Sequence, residues 1–223
     1  MKKYYAWMAA LLLIWLVLTC IFLILAPDQV PVHFDINGNV DRMGSKYEYL
    51  LFPGIGIFFF VISIFGEKLK MRTAGNEKTA AISMLSIFVF MFVLFCYFMW
   101  KALDPATVLE GMDRLAMRGT FLLLMVLFIV LGNIAPKVRR NAAFGLRTKW
   151  SMYNDTCWQK SQRLCGYTMM ACGVVGLVLC AVLPDAWIIW GELGLIFAVI
   201  PVISVGSYLI YKKEREKEGS ENG

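Results

Sequence analysis

Six long apolar runs, separated by polar segments, dominate the pattern of the sequence. A membrane-spanning helix needs about 20 mostly apolar residues, because the hydrocarbon layer is about 30 Å thick and each helical residue rises about 1.5 Å. Runs that fit this length cover residues 5–26, 50–66, 80–100, 119–135, 164–183 and 188–211. The pattern therefore predicts an all-α membrane protein, a bundle of six transmembrane helices that forms a single polytopic domain over residues 1–223.

The composition supports a membrane protein. Of the 223 residues, 59% are hydrophobic and 17% are charged, whereas soluble domains carry about 25% charged residues. A nucleic-acid partner would account for the net charge of +6, but it would leave the long apolar runs unexplained. We therefore expect a multi-pass protein of the cell membrane, with no direct contact to nucleic acid.

The placement of the basic residues predicts the orientation of the chain. Cytoplasmic segments of membrane proteins carry an excess of Lys and Arg. If the N terminus is cytoplasmic, 17 of the 22 Lys and Arg residues fall on the cytoplasmic side: at the N terminus, in the connections 67–78 and 136–163, and in the tail 212–223. Both termini are therefore predicted to be cytoplasmic, and residues 27–48 to be extracellular.

The predicted extracellular segment 27–48 has the pattern of a small β-hairpin. Residues 32–35 alternate between apolar and polar side chains, as in a half-exposed strand. Asn37 and Gly38 follow, and this pair is strongly favoured in two-residue hairpin turns. We therefore predict a two-stranded hairpin between the first and second helices.

Polar side chains are concentrated in this hairpin. His33, Asp35, Asn37 and Asp41 loosely match the spacing of a calcium-binding loop, but the bidentate Glu of such a loop is missing. A polar turn that forms its own hydrogen bonds explains the same residues. We therefore predict no metal and no cofactor, and keep His33, Asp35 and Asp41 as weak metal candidates.

The predicted cytoplasmic segment 136–163 is long for a simple connection, and loops of this length are often functional. Asn154 is a favourable helix N-cap, and Gly145 permits a turn. The mixture of basic and aromatic residues suits a surface against anionic lipid headgroups, or a binding surface for a protein or an anionic ligand. If the loop has a structural role, Asn141 and Arg147 should bond to exposed carbonyls near the ends of helices.

Within the apolar runs, the polar residues suggest no catalytic centre. Glu192 and Arg118 are close enough to the ends of their runs to reach the interface by snorkelling. None of the HExxH, GxSxG, P-loop and Ser/Lys dyad motifs occurs, so we predict that the chain is not an enzyme. Four glycines would allow helices to approach closely, namely Gly132, Gly166, Gly173 and Gly176.

Two motifs resemble a known bacterial family. The run from Pro31 through His33, Phe34, Asp35, Asn37, Gly38, Asp41 and Gly44 to Lys46 resembles a domain of uncharacterised function that often precedes SdpI-type sequences. The second run is similar to the SdpI signature and includes Asn133, Pro136, Lys137, Arg139, Asn141, Gly145, Arg147, Thr148, Trp150 and Trp158. With the six spans, the two motifs cover nearly the whole chain.

The resemblance implies a function in toxin resistance. The named member of the family is an immunity protein, which protects bacteria from a secreted toxic peptide of a sporulation-delay system and also holds a transcriptional repressor at the membrane. The expected partners are thus a toxic peptide outside, a repressor protein inside and membrane lipids. The residues implied to face the toxin are His33, Asp35, Asn37, Asp41 and Lys46.

Two other functions agree with parts of the pattern. Six spans with basic groups on the cytoplasmic side would suit a transporter of small molecules or lipid-linked substrates, although no clear inverted repeat is seen. A membrane enzyme could hold a metal outside with His33 and either Asp35 or Asp41. Inside, its polar site could be lined by Asn133, Asn141 and Arg147. Protection against a toxic peptide remains the first prediction.

Overall fold

The computed structural model describes residues 2–35, 39–68, 76–104, 114–141 and 144–221. In these ranges the long helices are α1 (Lys2–Leu25), α2 (Leu51–Lys68), α3 (Glu77–Leu103), α4 (Arg114–Ile134), α5 (Asp155–Val182) and α6 (Asp185–Glu221). All six are long and apolar enough to cross a membrane. The predicted six-helix architecture is therefore confirmed.

Several helices extend beyond the predicted apolar runs. Helix α4 begins at Arg114 instead of residue 119. Helix α6 continues through the predicted tail as far as Glu221. The tail is rich in Lys, Glu and Arg, which are good helix formers, and Lys217 pairs with Glu214 one turn earlier at 3.6 Å. The charged residues of the tail end the apolar run, but the helix continues through them.

The predicted hairpin is confirmed. Strand β1 (Gln29–Phe34) pairs antiparallel with β2 (Val40–Ser45), and an irregular register near His33 brings that residue opposite Arg42. A short 3-10 helix (Lys46–Leu50) follows, and Ser45 caps it by accepting a hydrogen bond from the backbone N–H of Tyr47. The predicted turn at Asn37 and Gly38 lies outside the described residues.

Consecutive helices run in opposite directions, which gives the bundle two ends. We call the end that carries the hairpin the hairpin side. The other end, the loop side, carries residues 135–141 and 144–154, which we call the signature loop. The beginning of α1 and the end of α6 both lie on the loop side. The assignment of this side to the cytoplasm stays a prediction.

An aromatic cluster forms the core of the first half of the bundle, which comprises α1, α2, α3 and the hairpin. Trp15 is fully buried, and its ring lies 5.3–5.8 Å from those of Phe88, Phe92 and Phe95 on α3. The hairpin joins this core, because the Tyr49 hydroxyl donates a hydrogen bond to the Pro31 carbonyl at 2.9 Å.

In the second half of the bundle, α4 to α6, helices α4 and α5 make close backbone contact. A Cβ atom on Gly166 of α5 would lie only 2.5 Å from the Gly132 carbonyl oxygen of α4. A Cβ atom on Gly173 would similarly lie 2.7 Å from the Met125 carbonyl oxygen. Glycines at these positions let two helices approach until their backbones touch. The predicted role of these glycines is confirmed.

The predicted snorkelling of Glu192 is wrong. Its side chain is fully buried, and its Oε1 atom accepts a hydrogen bond from the Cys180 thiol at 3.2 Å. Arg118 lies nearby and donates hydrogen bonds to the backbone carbonyls of Cys180 and Leu183. Carbonyls at a helix C-terminus lack partners within the helix, so Arg118 supplies hydrogen-bond donors for the carbonyls at the end of α5.

Candidate functional site

The hairpin's polar side chains largely bond to one another. His33 Nδ1 lies 2.6 Å from Asp41 Oδ1, and both side chains are exposed. The Asp35 carboxylate accepts hydrogen bonds from the backbone N–H and the side-chain amide of Asn39 at 2.8 and 2.9 Å. In the described ranges, no group of three His, Cys, Asp or Glu residues is arranged to hold a metal ion.

The last residues of the hairpin motif fix the hairpin to the helices. Lys46 Nζ donates to the Ala26 carbonyl at 3.2 Å and pairs with Asp28 at 3.2 Å. Its side chain is only 14% exposed, so it is a poor candidate for direct toxin contact. A Cβ atom on Gly44 would clash with the Glu48 carboxylate, which also accepts two hydrogen bonds from Arg42.

A large cavity lies between the hairpin and the helix ends. Its volume is about 730 Å³, within the range of about 300–1,000 Å³ that is typical of ligand pockets. It is lined by Val32, His33, Phe34, Asp35, Arg42, Glu48, Tyr49, Leu51, Phe52, Phe98, Met117, Thr120, Phe121 and Ile189. Both halves of the bundle contribute, and most of the lining is apolar. We call this space the hairpin cavity.

Some of the predicted toxin-facing residues line the hairpin cavity and others do not. His33 and Asp35 line it, whereas Asp41 and Lys46 do not. Asn37 lies outside the described residues. The sequence motif identified the right segment but did not identify the apolar residues of α2, α3, α4 and α6 that complete the cavity.

On the loop side, the signature loop folds around buried amide side chains. The Asn141 amide donates hydrogen bonds to the carbonyls of Arg139 and Phe144, and its oxygen accepts one from the N–H of Phe144. Gln162 of α5 is fully buried and bonds to both backbone groups of Leu146. Gly145, with a φ of 106°, makes the turn beside it, as predicted.

The loop is also attached to three helices. Trp158 of α5 donates its indole N–H to the Val138 carbonyl at 2.8 Å. Thr148 bonds to Ser207 of α6 at 2.9 Å. Asn76, just before α3, exchanges two hydrogen bonds with the backbone of Arg139. These bonds fix the path of the loop against both halves of the bundle.

The loop side is further braced by the beginning of α5 and the end of α6. Asn154 caps α5 as predicted, since its side chain accepts a hydrogen bond from the Cys157 N–H at 2.7 Å. Glu218 accepts hydrogen bonds from the Tyr153 hydroxyl and the Asn154 amide at 2.8 and 2.9 Å. The bond to Glu218 raises the pKa of Tyr153. Lys160 pairs with Glu214 at 2.6 Å.

The other signature residues separate into packed and exposed groups. Pro136 packs against α5, where it would meet a Cβ atom on Gly166. The Trp150 ring lies 5.3 Å from that of Tyr208, and Asn133 accepts a long hydrogen bond of 3.4 Å from Lys137. The side chains of Lys137, Arg139, Arg140 and Arg147 are exposed. Arg147 forms no hydrogen bond or ion pair within the described part of the chain.

Asn141 and Arg147 should therefore respond differently to substitution. Asn141→Ala should lower the free energy of unfolding by about 2 kcal/mol or more, because each buried polar group left without a partner costs about 1–3 kcal/mol. Arg147→Ala should change it by less than about 0.5 kcal/mol, as is usual at exposed positions. Thermal melting of the two purified variants in detergent measures the difference. Equal losses would contradict the structural assignment of Asn141.

Comparisons with known proteins match both candidate regions. A family model described as the SdpI/YfhL protein family matches residues 137–211. A second model, described as a domain of unknown function, matches residues 10–57. The chain is 20% identical over 187 residues to the immunity protein SdpI of Bacillus subtilis (strain 168), and the alignment covers 84% of this chain and 86% of that protein. No solved structure matches the chain.

Proposed function

We propose that this chain, which belongs to the SdpI-type family of membrane proteins, is an immunity protein that protects a bacterial cell against a toxic peptide. The similarity to the Bacillus subtilis protein extends over most of both chains. The two family models include the hairpin and the signature loop, respectively. Both regions that carry candidate sites thus have counterparts in the family.

The toxic peptide binds in the hairpin cavity. A peptide that acts on membranes carries apolar side chains, and the cavity has a mostly apolar lining that includes Phe52, Phe98 and Phe121. Polar groups of the hairpin, including His33 and Arg42, lie at the same cavity and suit the backbone or the charged ends of a peptide. This large, mostly apolar cavity is the observation that carries the proposal.

The hairpin side faces outward in this proposal. Most Lys and Arg residues lie on the loop side or in segments that lead to it, as expected of a cytoplasmic face. A secreted peptide would then reach the hairpin cavity without crossing the membrane. Because α2, α3, α4 and α6 all line that cavity, bound peptide would contact both halves of the bundle.

A receptor function rests on the loop side. The signature loop is bonded to α3, α5 and α6, so a change in the packing of the two halves would reach it. Arg147 remains exposed there for contact with a cytoplasmic repressor. Such signalling requires a helix bundle with two conformational states, and the toxin and the repressor must both favour the same state. Recruitment of a fluorescent repressor fusion to the membrane, with and without toxin, tests this part separately.

Filling the hairpin cavity should weaken protection. In a Bacillus subtilis strain without its own immunity protein, expression of this chain should raise the concentration of the sporulation-delay toxin that kills half of the cells. Ile189→Trp places a larger side chain at the cavity. The larger side chain should occupy part of the space that the peptide would fill. A loss of about 1.4 kcal/mol of binding free energy is a factor of ten in affinity, so we expect the concentration that kills half of the cells to fall roughly tenfold.

Ile200→Trp is the matched control, because Ile200 lies on the same helix, is 56% exposed and does not line the cavity. It should protect as well as the unchanged protein at equal membrane abundance. Equal protection by Ile189→Trp would exclude the cavity as the toxin site. If cells that express the unchanged protein are killed as easily as cells without it, immunity against this toxin is contradicted. Flux assays in proteoliposomes would then test transport.

A further inference from the structure

A second cavity lies on the loop side, between the first part of the signature loop and the first turns of α5. Its volume is about 590 Å³. Its lining includes four basic side chains, those of Lys137, Arg139, Arg140 and Arg163, but only one carboxylate, that of Asp155. We call this space the basic pocket. It is separate from the hairpin cavity at the opposite end of the bundle.

The charges of the basic pocket are not balanced within it. Arg140 pairs with Asp155 at 3.2 Å, which uses the one acidic group of the lining. Lys137 has a neutral partner, Asn133, at 3.4 Å. Arg139 and Arg163 form no ion pair with any of the described residues. Cations held close together favour the binding of an anion, which offsets their mutual repulsion.

The backbone that carries these charges is fixed in place. Val138 is buried and accepts a hydrogen bond from the Trp158 indole. The N–H and carbonyl of Arg139 both bond to the buried side chain of Asn76. The basic side chains therefore extend from an ordered frame, so that less conformational freedom is lost when they bind a ligand. Arginine is well suited to phosphate, since its guanidinium group donates two parallel hydrogen bonds.

The surface next to the basic pocket indicates the source of the phosphate. Arg163, Tyr167, Val174 and Val178 lie on one face of α5, because they are spaced by multiples of about one helical turn. Tyr167, Val174 and Val178 are 62%, 54% and 55% exposed. Since α5 is long and apolar enough to cross the membrane, this face is available to lipid acyl chains.

From this arrangement we propose that the basic pocket binds the phosphate of an anionic phospholipid, whose acyl chains lie along the exposed face of α5. Basic pockets between transmembrane helices commonly receive such headgroups. The bound lipid would join the signature loop to the beginning of α5. It would therefore stabilise the region where α4, the loop and α5 meet.

Lipid binding to the purified full-length chain in detergent tests this proposal. Dioleoylphosphatidylglycerol should raise the melting temperature by several degrees, because a ligand that binds only the folded state stabilises it. Dioleoylphosphatidylcholine, whose headgroup has no net charge, and inorganic phosphate at equal concentration should have little effect. An equal shift with inorganic phosphate would overturn the assignment to lipid and point to a soluble phosphate ligand.

The double variant Arg139→Gln/Arg163→Gln should bind phosphatidylglycerol about tenfold more weakly or worse, since it removes two charged hydrogen-bond donors from the pocket. Lys212→Gln/Lys213→Gln removes the same charge from exposed positions outside the pocket and should bind as the unchanged protein does. Native mass spectrometry measures both affinities. Equal affinity in the two double variants would overturn the proposal. Binding of neither lipid would also overturn it, and an acidic protein surface would then be the remaining candidate ligand. Toxin protection does not enter this test, so failure of the proposed immunity function would not affect it.

Discussion

Gly166→Val is expected to separate α4 from α5 and to destabilise the bundle strongly. A Cβ atom at this position would lie 2.5 Å from the Gly132 carbonyl oxygen and 2.7 Å from Pro136 Cδ. Neither group can move away easily, since one is helix backbone and the other is a ring at the beginning of the signature loop. Overpacking of this kind costs about 1–3 kcal/mol, and more where the backbone must shift, so we expect a loss of about 3 kcal/mol or more.

Gly194→Val is the matched control for this substitution. Gly194 lies on α6, and among the described residues no atom outside its own helix lies within 4 Å of a Cβ built there. Both substitutions change helix propensity in the same way, so the difference between them isolates the contact with α4. Fluorescence-detected size-exclusion chromatography after heating gives the melting temperatures. Equal melting temperatures for the two variants would show that α4 and α5 do not touch at Gly166.

Trp15→Ala is expected to have a comparable effect on the first half of the bundle. Trp15 is fully buried, and its ring packs against three phenylalanines of α3. Removal of a large buried aromatic side chain costs about 3–5 kcal/mol, because both packing and a cavity contribute. Since Val30 and Tyr49 belong to the same core, the hairpin should also become less stable.

Trp7→Ala provides the control on the same helix, because Trp7 is 65% exposed. It should melt within a few degrees of the unchanged protein. Limited proteolysis reports the hairpin separately, and Trp15→Ala should accelerate cleavage within residues 39–48 while Trp7→Ala should not. Resistance of the hairpin in Trp15→Ala would show that its stability is independent of the aromatic core.

The sequence was sufficient to predict the six spans and the hairpin because both depend on local patterns. Apolar length decides whether a helix can cross a membrane, and alternation of apolar and polar residues favours a strand. The end of α6 was missed because the tail 212–221 is charged yet strongly helical. Glu192 was misplaced because its position in the sequence does not reveal that Cys180 and the adjoining helices enclose it.

The sites were predicted less completely, since their contacts join distant parts of the chain. Asn76 bonds to Arg139 across 63 residues, and Thr148 bonds to Ser207 across 59. A single sequence reveals neither partnership. Gln162 was likewise missed as a determinant of the loop, although a polar residue at the beginning of a long apolar helix was a usable signal. Lys46 has the residue type of a ligand-binding group, but its partners Ala26 and Asp28 lie in the connection between α1 and β1.

The central claim is that toxin binds the hairpin cavity from outside while the signature loop faces the cytoplasm. Separate variants, His33→Cys and Arg147→Cys, place a thiol at an exposed position on each side. The six native cysteines lie within long apolar helices, and the unchanged protein measures their background reaction with a membrane-impermeant maleimide.

In intact cells the maleimide should label His33→Cys, and the toxic peptide should slow this labelling because residue 33 lines the hairpin cavity. Arg147→Cys should be labelled only after the membrane is made permeable, and the toxin should not protect it directly. Labelling of Arg147→Cys but not His33→Cys in intact cells would contradict the orientation. Labelling of His33→Cys at the same rate with saturating toxin would contradict binding in the cavity.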